Sequence, residues 1–398
     1  DIEAAIDNHK QALRIKPDYA EAYYNMGNAL QKKGDLETAI DSFKQAIKIK
    51  SDYAEAYNNM GNALQKKGDL ETAINSFKQA IKIKSDYAEA YNNMGNAQQG
   101  RGDLEAAIDG YEQALKIKSD YSEACANMLS LLTFYTTPKV VSGNNILKAN
   151  KEILNIDINC KNSDIIPDEK IINQLLESSS FISDNSLEIR TDLSQTYRRN
   201  SVDLNCKRHK SIFNEHVIIP EFCFGCYKVQ VEPRSIIDLI KLYVVFDQLE
   251  LNENNTRKCM IELRPKISGF YKGLIYCSGL KQANQIAEYL DTVVKQSIGL
   301  GLPAKVKRGC SEYSIAFPDY KEINNSGPQL MNYIEEWKVI EDDHDRKKSM
   351  KAKDNIIPSL SGLNLNDVLI IRKWVDYAKG IGDPTVDLID ENTVYYQE

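Results

Sequence analysis

Four side chains in the second half of the chain have the types and spacing of metal ligands. Cys206 and His209 form C-x2-H in "NCKRHK", and Cys223 and Cys226 form C-x2-C in "EFCFGCYK". A two-residue gap lets both side chains of a pair turn toward one ion. Two such knuckles complete a tetrahedron of three thiolates and one imidazole, a closed zinc site. Soft thiolates with one histidine favour zinc, and iron–sulfur ligation comes second. Four protein ligands leave no open position for substrate, so the role would be structural. A redox C-x2-C pair usually opens a helix, whereas Cys226 runs into the alternating "YKVQVEP", which reads as a strand. His216 falls between the two pairs and is the poorer ligand by spacing. The competing reading is coincidence in a cysteine-containing domain.

Something must position those residues, and the 398-residue chain has room for two or three domains. Hydrophobic content of 42% and charged content of 27% are those of a globular protein. No apolar run approaches the length of a membrane span. A net charge of −7 argues against indiscriminate nucleic-acid binding. Eight cysteines, mostly single and unevenly spaced, fit a reducing compartment, so a cytoplasmic location is expected. No signal peptide is visible in the sequence, which starts at Asp1 without a methionine.

The first third repeats itself. Residues 20–50, "AEAYYNMGNALQKKGDLETAIDSFKQAIKIK", return almost unchanged at 54–84, a period of 34; a third copy starts at Ala88 and a degenerate fourth at Ser122. Tyr23, Tyr57 and Tyr91 fill one aromatic position, and Met26, Met60 and Met94 precede Gly27, Gly61 and Gly95. Ala39, Ala73 and Ala107 lead to Phe43, Phe77 and Tyr111, and then to Ala46, Ala80 and Ala114. Gly34, Gly68 and Gly102 mark the turn inside each repeat. This pattern resembles the tetratricopeptide family over residues 1–137, which implies an α-solenoid of helix pairs. Residues 1–16 match the second helix of a preceding repeat, with Asp1 at the place of Asp35 and Ala5 at that of Ala39. A lone second helix has an uncovered face, so further repeats upstream are expected.

The first helix of each repeat also carries a polar stripe, represented by Glu55, Asn58, Asn59, Asn62, Gln65 and Lys66. Asn25, Asn59, Asn93 and Asn127 recur at one repeat position, with Asn28, Asn62 and Asn96 three residues on in the first three. A side-chain amide offers both donors and an acceptor, so it can pair with a peptide backbone whatever the peptide's side chains. The ladder is similar to that of the repeats of peptide O-GlcNAc transferases, a resemblance that implies an extended peptide held in the concave groove. A carboxylate clamp of the chaperone-binding kind would want lysine where Asn58 and Asn92 stand. The plain alternative is a solvated polar face on a spacer.

Beyond Cys125 the repeat decays; Leu129 replaces the glycine, as in a capping helix. Residues 138–199 read as a helical or irregular connector, with "KIINQLLESS" as one short helix and Cys160 as an isolated thiol. Residues 200–322 read as βαββαβ, a ferredoxin-like α+β domain: "YKVQVEP", "RSIIDLIKLYVVFDQLEL", "RKCMIELRP", "FYKGLIYC", "KQANQIAEYLDTVVKQSIG" and "AKVKRGCSEYSIAFP". Alternation directs Tyr227, Val229 and Val231 to the helices, and Lys228, Gln230 and Glu232 to the far face. Cys259, Ile261, Leu263, Ile275 and Cys277 share the apolar side, with Cys259 and Cys277 expected as cross-strand neighbours. Glu262, Arg264, Lys272 and Tyr276 share the polar side. Cys259, Cys277 and Cys310 read as small buried hydrophobes. "KRGCSE", with Lys307, Arg308, Cys310 and Glu312, reads as a salt-bridged strand or an anion or catalytic site. Residues 323–398 read as a charged linker, in which His344 is solvated, followed by a helix capped by Asn364 or Asn366 and ending at Gly380, with Trp374 packed inward.

The functional expectation is a protein-interaction adaptor holding an extended peptide, with no small-molecule substrate. One alternative is a protein-modifying enzyme whose array recruits substrate to the C-terminal domain. No phosphate-binding glycine loop, hydrolase elbow or carboxylate dyad supports it, and the region is too short for a two-lobed glycosyltransferase. A second alternative is RNA binding by the open sheet face. Readers of that kind display exposed aromatics, and only Tyr276 is suitably placed. Residues 200–322 hold 17 Lys and Arg against 14 Asp and Glu, too balanced for a strong phosphate-binding surface.

Overall fold

The computed structural model describes residues 2–138, 144–158, 165–185, 187, 189–198, 204–348 and 358–395. Asp1 and Cys160 lie outside the described residues, as do 349–357 of the expected charged linker. The chain forms two compact units, Asp1–Val140 and Val141–Glu398. No helix among the described residues is long and apolar enough to cross a membrane.

The first unit consists of helices α1 (Ile2–Ile15), α2 (Ala20–Lys33), α3 (Leu36–Ile49), α4 (Ala54–Lys67), α5 (Leu70–Ile83), α6 (Ala88–Arg101), α7 (Leu104–Ile117) and α8 (Ser122–Leu132). Local chemistry sets their ends. Asp35 and Asp69 accept from the backbone N–H of Thr38 and Thr72 at 3.2 Å, capping α3 and α5. Gly34, at φ 93°, stops α2 in the left-handed conformation, and its N–H closes on the last carbonyls of the helix. Ala39, Ile40, Phe43 and Ala46 form the buried face of α3, and Ala73, Ile74, Phe77 and Ala80 that of α5. Lys50 lies over the Tyr53 ring at 4.6 Å in the turn between repeats, and Lys84 over Tyr87 at 4.9 Å. In α8, Met128, Leu129, Leu131 and Leu132 are all buried.

The second unit contains α9 (Asn145–Leu154), α10 (Asp168–Asp184), β1 (Gln195–Arg198), α11 (Cys206–His216), α12 (Glu221–Phe224), β2 (Tyr227–Val231), α13 (Ile236–Gln248), β3 (Arg257–Ile261), β4 (Tyr271–Cys277), α14 (Leu280–Ser297), β5 (Lys305–Arg308), α15 (Ser311–Ala316), α16 (Pro318–Lys321), α17 (Trp337–Lys348), α18 (Leu365–Ile381) and α19 (Val386–Tyr395). The sheet runs β1-β3-β4-β2-β5, and each pairing is antiparallel. Its fifth strand, β1, was not expected; it extends the edge beyond β3. The helices expected in the connector pack within this unit: α10 meets α13 and α18, and α9 meets α18.

Several readings of this region are corrected by its packing. Cys259 is registered with Gly273 and Cys277 with Tyr227, so the two cysteines are not cross-strand neighbours, although both are buried. The last strand stops at Arg308, because Gly309 turns at φ 54° with Tyr320 where a Cβ would stand, and α15 follows. The sheet face away from α13 is closed as well. Met260, Leu274 and Tyr276 form a buried cluster there with Leu204 and Cys226 against it. Tyr276 is 7% exposed and offers no stacking platform for a base. Trp374 is buried, as expected, and its Nε1 donates to the Ser194 carbonyl at 2.9 Å. Asn364 forms a capping box with Asp367, and α18 ends at Gly382 rather than Gly380.

Charge is buried deeply in this unit. Arg198 lies between Asp247 at 3.0 Å and Asp367 at 2.6 Å, and its guanidinium stacks on Tyr243 at 4.4 Å. Glu262 accepts from Lys272 at 2.9 Å and Arg264 at 2.7 Å. Burial alone would push the Glu262 carboxyl up, but the Arg264 and Lys272 bonds outweigh it and hold it at about 2.

Two predictions follow from the packing. A Cβ on Gly61 would stand 2.6 Å from the Phe77 ring, whereas one on Gly100 would meet only the end of Leu70 at 3.3 Å. Overpacking costs about 1–3 kcal/mol, against roughly 1 kcal/mol gained by Gly→Ala in a helix. Gly61→Ala should therefore lower the thermal midpoint and Gly100→Ala should raise it. For Glu262, the lowered folded-state value means stability present above the unfolded value of roughly 4.3 and lost as pH falls toward 2. In urea titrations the gap between wild type and Glu262→Gln should be full at pH 7 and shrink below about pH 4; a gap independent of pH would refute the assignment.

Candidate functional site

The four residues expected to bind metal come to one place, by a different route from knuckles. Cys206 opens α11 and His209 sits one turn later, so this pair is helical. Cys223 lies in α12 and Cys226 immediately precedes β2. All four line a single small pocket, together with Lys228 and Cys310. Phe222 and Tyr313 complete much of its apolar wall. The His209 ring stacks on Phe222, with centroids 5.1 Å apart. Cys223 lies 3.6 Å from the Tyr313 hydroxyl. None of the cysteines is in a disulfide among the described residues.

Cys310 and Lys228 were not read as members of this group. The sequence reads Cys310 as a small buried hydrophobe or as part of a salt-bridged strand or an anion or catalytic site in "KRGCSE", and Lys228 as a far-face residue. Closure of that face leaves Lys228 only 5% exposed, with Nζ 3.3 Å from Cys310 Sγ. Burial opposes both charges. Even so, the Lys228 ammonium holds the Cys310 thiol below its ordinary range, and Cys310 raises Lys228 well above its own. Burial pushes Cys226 up to about 11 and raises Cys206 and Cys223 as well. Lys307 is registered directly opposite Lys228 on β5. Burial, aided by the Lys228 charge, pulls Lys307 and Lys258 down to about 8. The remaining members of "KRGCSE" anchor the site: Arg308 donates to the Phe224 and Met331 carbonyls, and Glu312 pairs with Arg264.

A second grouping was not foreseen. His344, expected in solvent, is 1% exposed; its Nδ1 lies 3.3 Å from His216 Nε2 and 3.6 Å from Glu215. Glu215, His216 and His344 place ligand atoms within 4.8 Å of one another. The short contact between the two imidazoles is accounted for by a hydrogen bond between them.

In the first unit the asparagine ladder is tied together across repeats. Asn59 Nδ2 donates to Asn28 Oδ1 at 2.8 Å and to the Tyr24 hydroxyl at 3.0 Å. Asn93 donates to Asn58 at 3.1 Å, and Asn127 to Asn92 at 2.9 Å. Asn58, read as part of an open polar stripe, is fully buried and also donates to Glu89 at 3.1 Å. Asn96 accepts from Tyr111 at 2.8 Å. Asn25 is exposed, while Asn28, Asn59, Asn62, Asn93, Asn96 and Asn127 are partly exposed.

Family models agree with this architecture. One described as TPR repeat matches residues 1–34, 28–68 and 62–100, and one described as Tetratricopeptide repeat matches 88–121. The chain is a tetratricopeptide repeat protein, its repeats spanning residues 1–121. Such solenoids are protein–protein interaction folds. Among solved structures, the chain is similar to the crystal structure of MamA at 27% identity and TM-score 0.32, covering 33% of this chain and 77% of that one. It is also similar to the first TPR of Spaghetti (RPAP3) bound to the HSP90 peptide SRMEEVD, at 22% identity and TM-score 0.28, covering 28% and 89%. The Arabidopsis OM64 TPR domain matches at 22% and 0.28, covering 28% and 93%. No curated protein matches the chain.

Proposed function

We propose that the repeat array binds an extended segment of another protein along the groove face of α2, α4, α6 and α8. Asn25, Asn59, Asn93 and Asn127 would pair with the peptide backbone, with Asn28, Asn62 and Asn96 beside them. The observation that carries this reading is the row of inter-repeat amide bonds. Because Asn93 and Asn127 donate through Nδ2 to the preceding repeat, their Oδ1 atoms are held in fixed positions as acceptors for peptide N–H groups. Fixing them before binding lowers the entropic cost of capture. Recognition through backbone groups would tolerate many side-chain sequences, as an adaptor requires. For the second unit we read the βαββαβ succession from β2 to β5 as ferredoxin-like, with β1 appended. The order β3-β4-β2-β5 supports it.

An immobilised library of extended peptides, probed with the full chain, should return ligands whose affinity survives side-chain changes but falls when peptide N–H groups are methylated. Asn25 is exposed and takes no part in the inter-repeat bonds, so Asn25→Ala should leave the thermal midpoint unchanged. Each lost hydrogen bond is worth about 1 kcal/mol, roughly a fivefold rise in Kd. Asn25→Ala and Asn127→Ala should each show that loss. Unchanged affinity in both would overturn the ladder while leaving the repeats intact.

A further inference from the structure

The cysteine cavity of the second unit has no part in peptide capture, and its composition calls for an occupant. Four thiols, three from residues 206–226 and one from residue 310, line it together: Cys206, Cys223, Cys226 and Cys310. Lys228 is buried on the same cavity, and no carboxylate pairs with it among the described residues; its hydrogen bond goes to Cys310 Sγ at 3.3 Å. A buried ammonium without an anion is unfavourable, because its lost hydration is not repaid. Lys307, opposite it in register, increases the positive charge. The site is therefore built to hold negative charge at the sulfurs, and metal-bound cysteines supply it because coordination deprotonates the thiol.

Spacing distinguishes one metal centre from another. A tetrahedral zinc ion with bonds of about 2.3 Å draws its sulfurs to within roughly 4 Å of one another. Among the described residues, three or more ligand atoms within 4.8 Å of one another occur at Glu215, His216 and His344, and not among these cysteines. A cubane of four irons and four sulfides separates its cysteine ligands to roughly 6 Å. Two oxidised and two reduced irons with four sulfides and four thiolates carry two net negative charges, which Lys228 would partly offset.

We propose that Cys206, Cys223, Cys226 and Cys310 bind a [4Fe–4S] cluster, with Lys228 as its buried counter-charge and His209 as wall rather than ligand. Binding forms four iron–thiolate bonds, and the four thiol protons leave to solvent. The expected C-x2-C pair is kept, Cys310 takes the place assigned to His209, and iron–sulfur replaces zinc as the preferred occupant. The reading does not depend on the function of the repeats.

Full-length protein isolated without oxygen should be brown, with about four irons and four acid-labile sulfides per chain and a broad absorption near 400 nm. His209→Ala should keep the iron, whereas Cys310→Ser should lose the four-iron content and its spectrum. Cys125→Ser, in the repeats, should keep both. Wild-type metal content and spectrum decide the matter even if a cysteine variant fails to fold. A colourless protein with one zinc per chain, retained in Cys310→Ser, would overturn the proposal in favour of Cys206, His209, Cys223 and Cys226. Metal-free protein, with or without a disulfide between these cysteines, would also overturn it.

Discussion

How closely one aromatic ring can approach the preceding helix sets the geometry of the repeat unit. Phe43, Phe77 and Tyr111 are fully buried, and each ring lies where a side chain at Gly27, Gly61 or Gly95 would otherwise begin. Burying such a ring contributes about 2–3 kcal/mol, and only glycine leaves room for it at that separation. Because the contact recurs at every period, successive first helices present equivalent residues at equivalent places. The asparagine row is a consequence. Asn93 can reach Asn58, and Asn127 can reach Asn92, only because the hydrophobic layer beneath fixes the distance between repeats.

The second unit rests on another balance, that of charge kept out of water. Arg198 with Asp247 and Asp367, and Lys272 with Glu262, are pairs whose partners satisfy them. Ion pairs of this type add little net stability relative to apolar residues, but removing one member leaves the other stranded. They hold β1, α13 and α18 in one register. Lys228 breaks the pattern, since its nearest partner is a thiol. That departure marks the cysteine cavity as different in kind from the surrounding structural polar network.

Legibility in the sequence followed signal strength. The helices of the array could be read nearly to the residue, because a near-identical 34-residue period repeats every cap and every core position. The succession of strands and helices from Tyr227 to Arg308 was also readable from alternation and helical periodicity. What failed was the inference from alternation to exposure. Lys228, Glu262, Lys272 and Tyr276 alternate as if half of the sheet were wet, yet Leu204 and Cys226 help close that face. The four residues of β1 are too few to show a period. Cys310 joined the cavity through tertiary folding, far along the chain from the other three cysteines, and no local spacing could connect them. The buried bonds of Asn58 were hidden for the same reason, since an amide on a polar stripe gives no sign of a partner one repeat away.

The asparagine-lined face of the repeats is the proposed seat of partner recognition. Hydrogen–deuterium exchange of the full chain, with and without a bound extended peptide, tests it most directly. Slowed exchange in α2, α4, α6 and α8, with α11 to β2 unchanged, is the predicted result. Protection confined to the second unit, with the repeat helices exchanging as before, would contradict it.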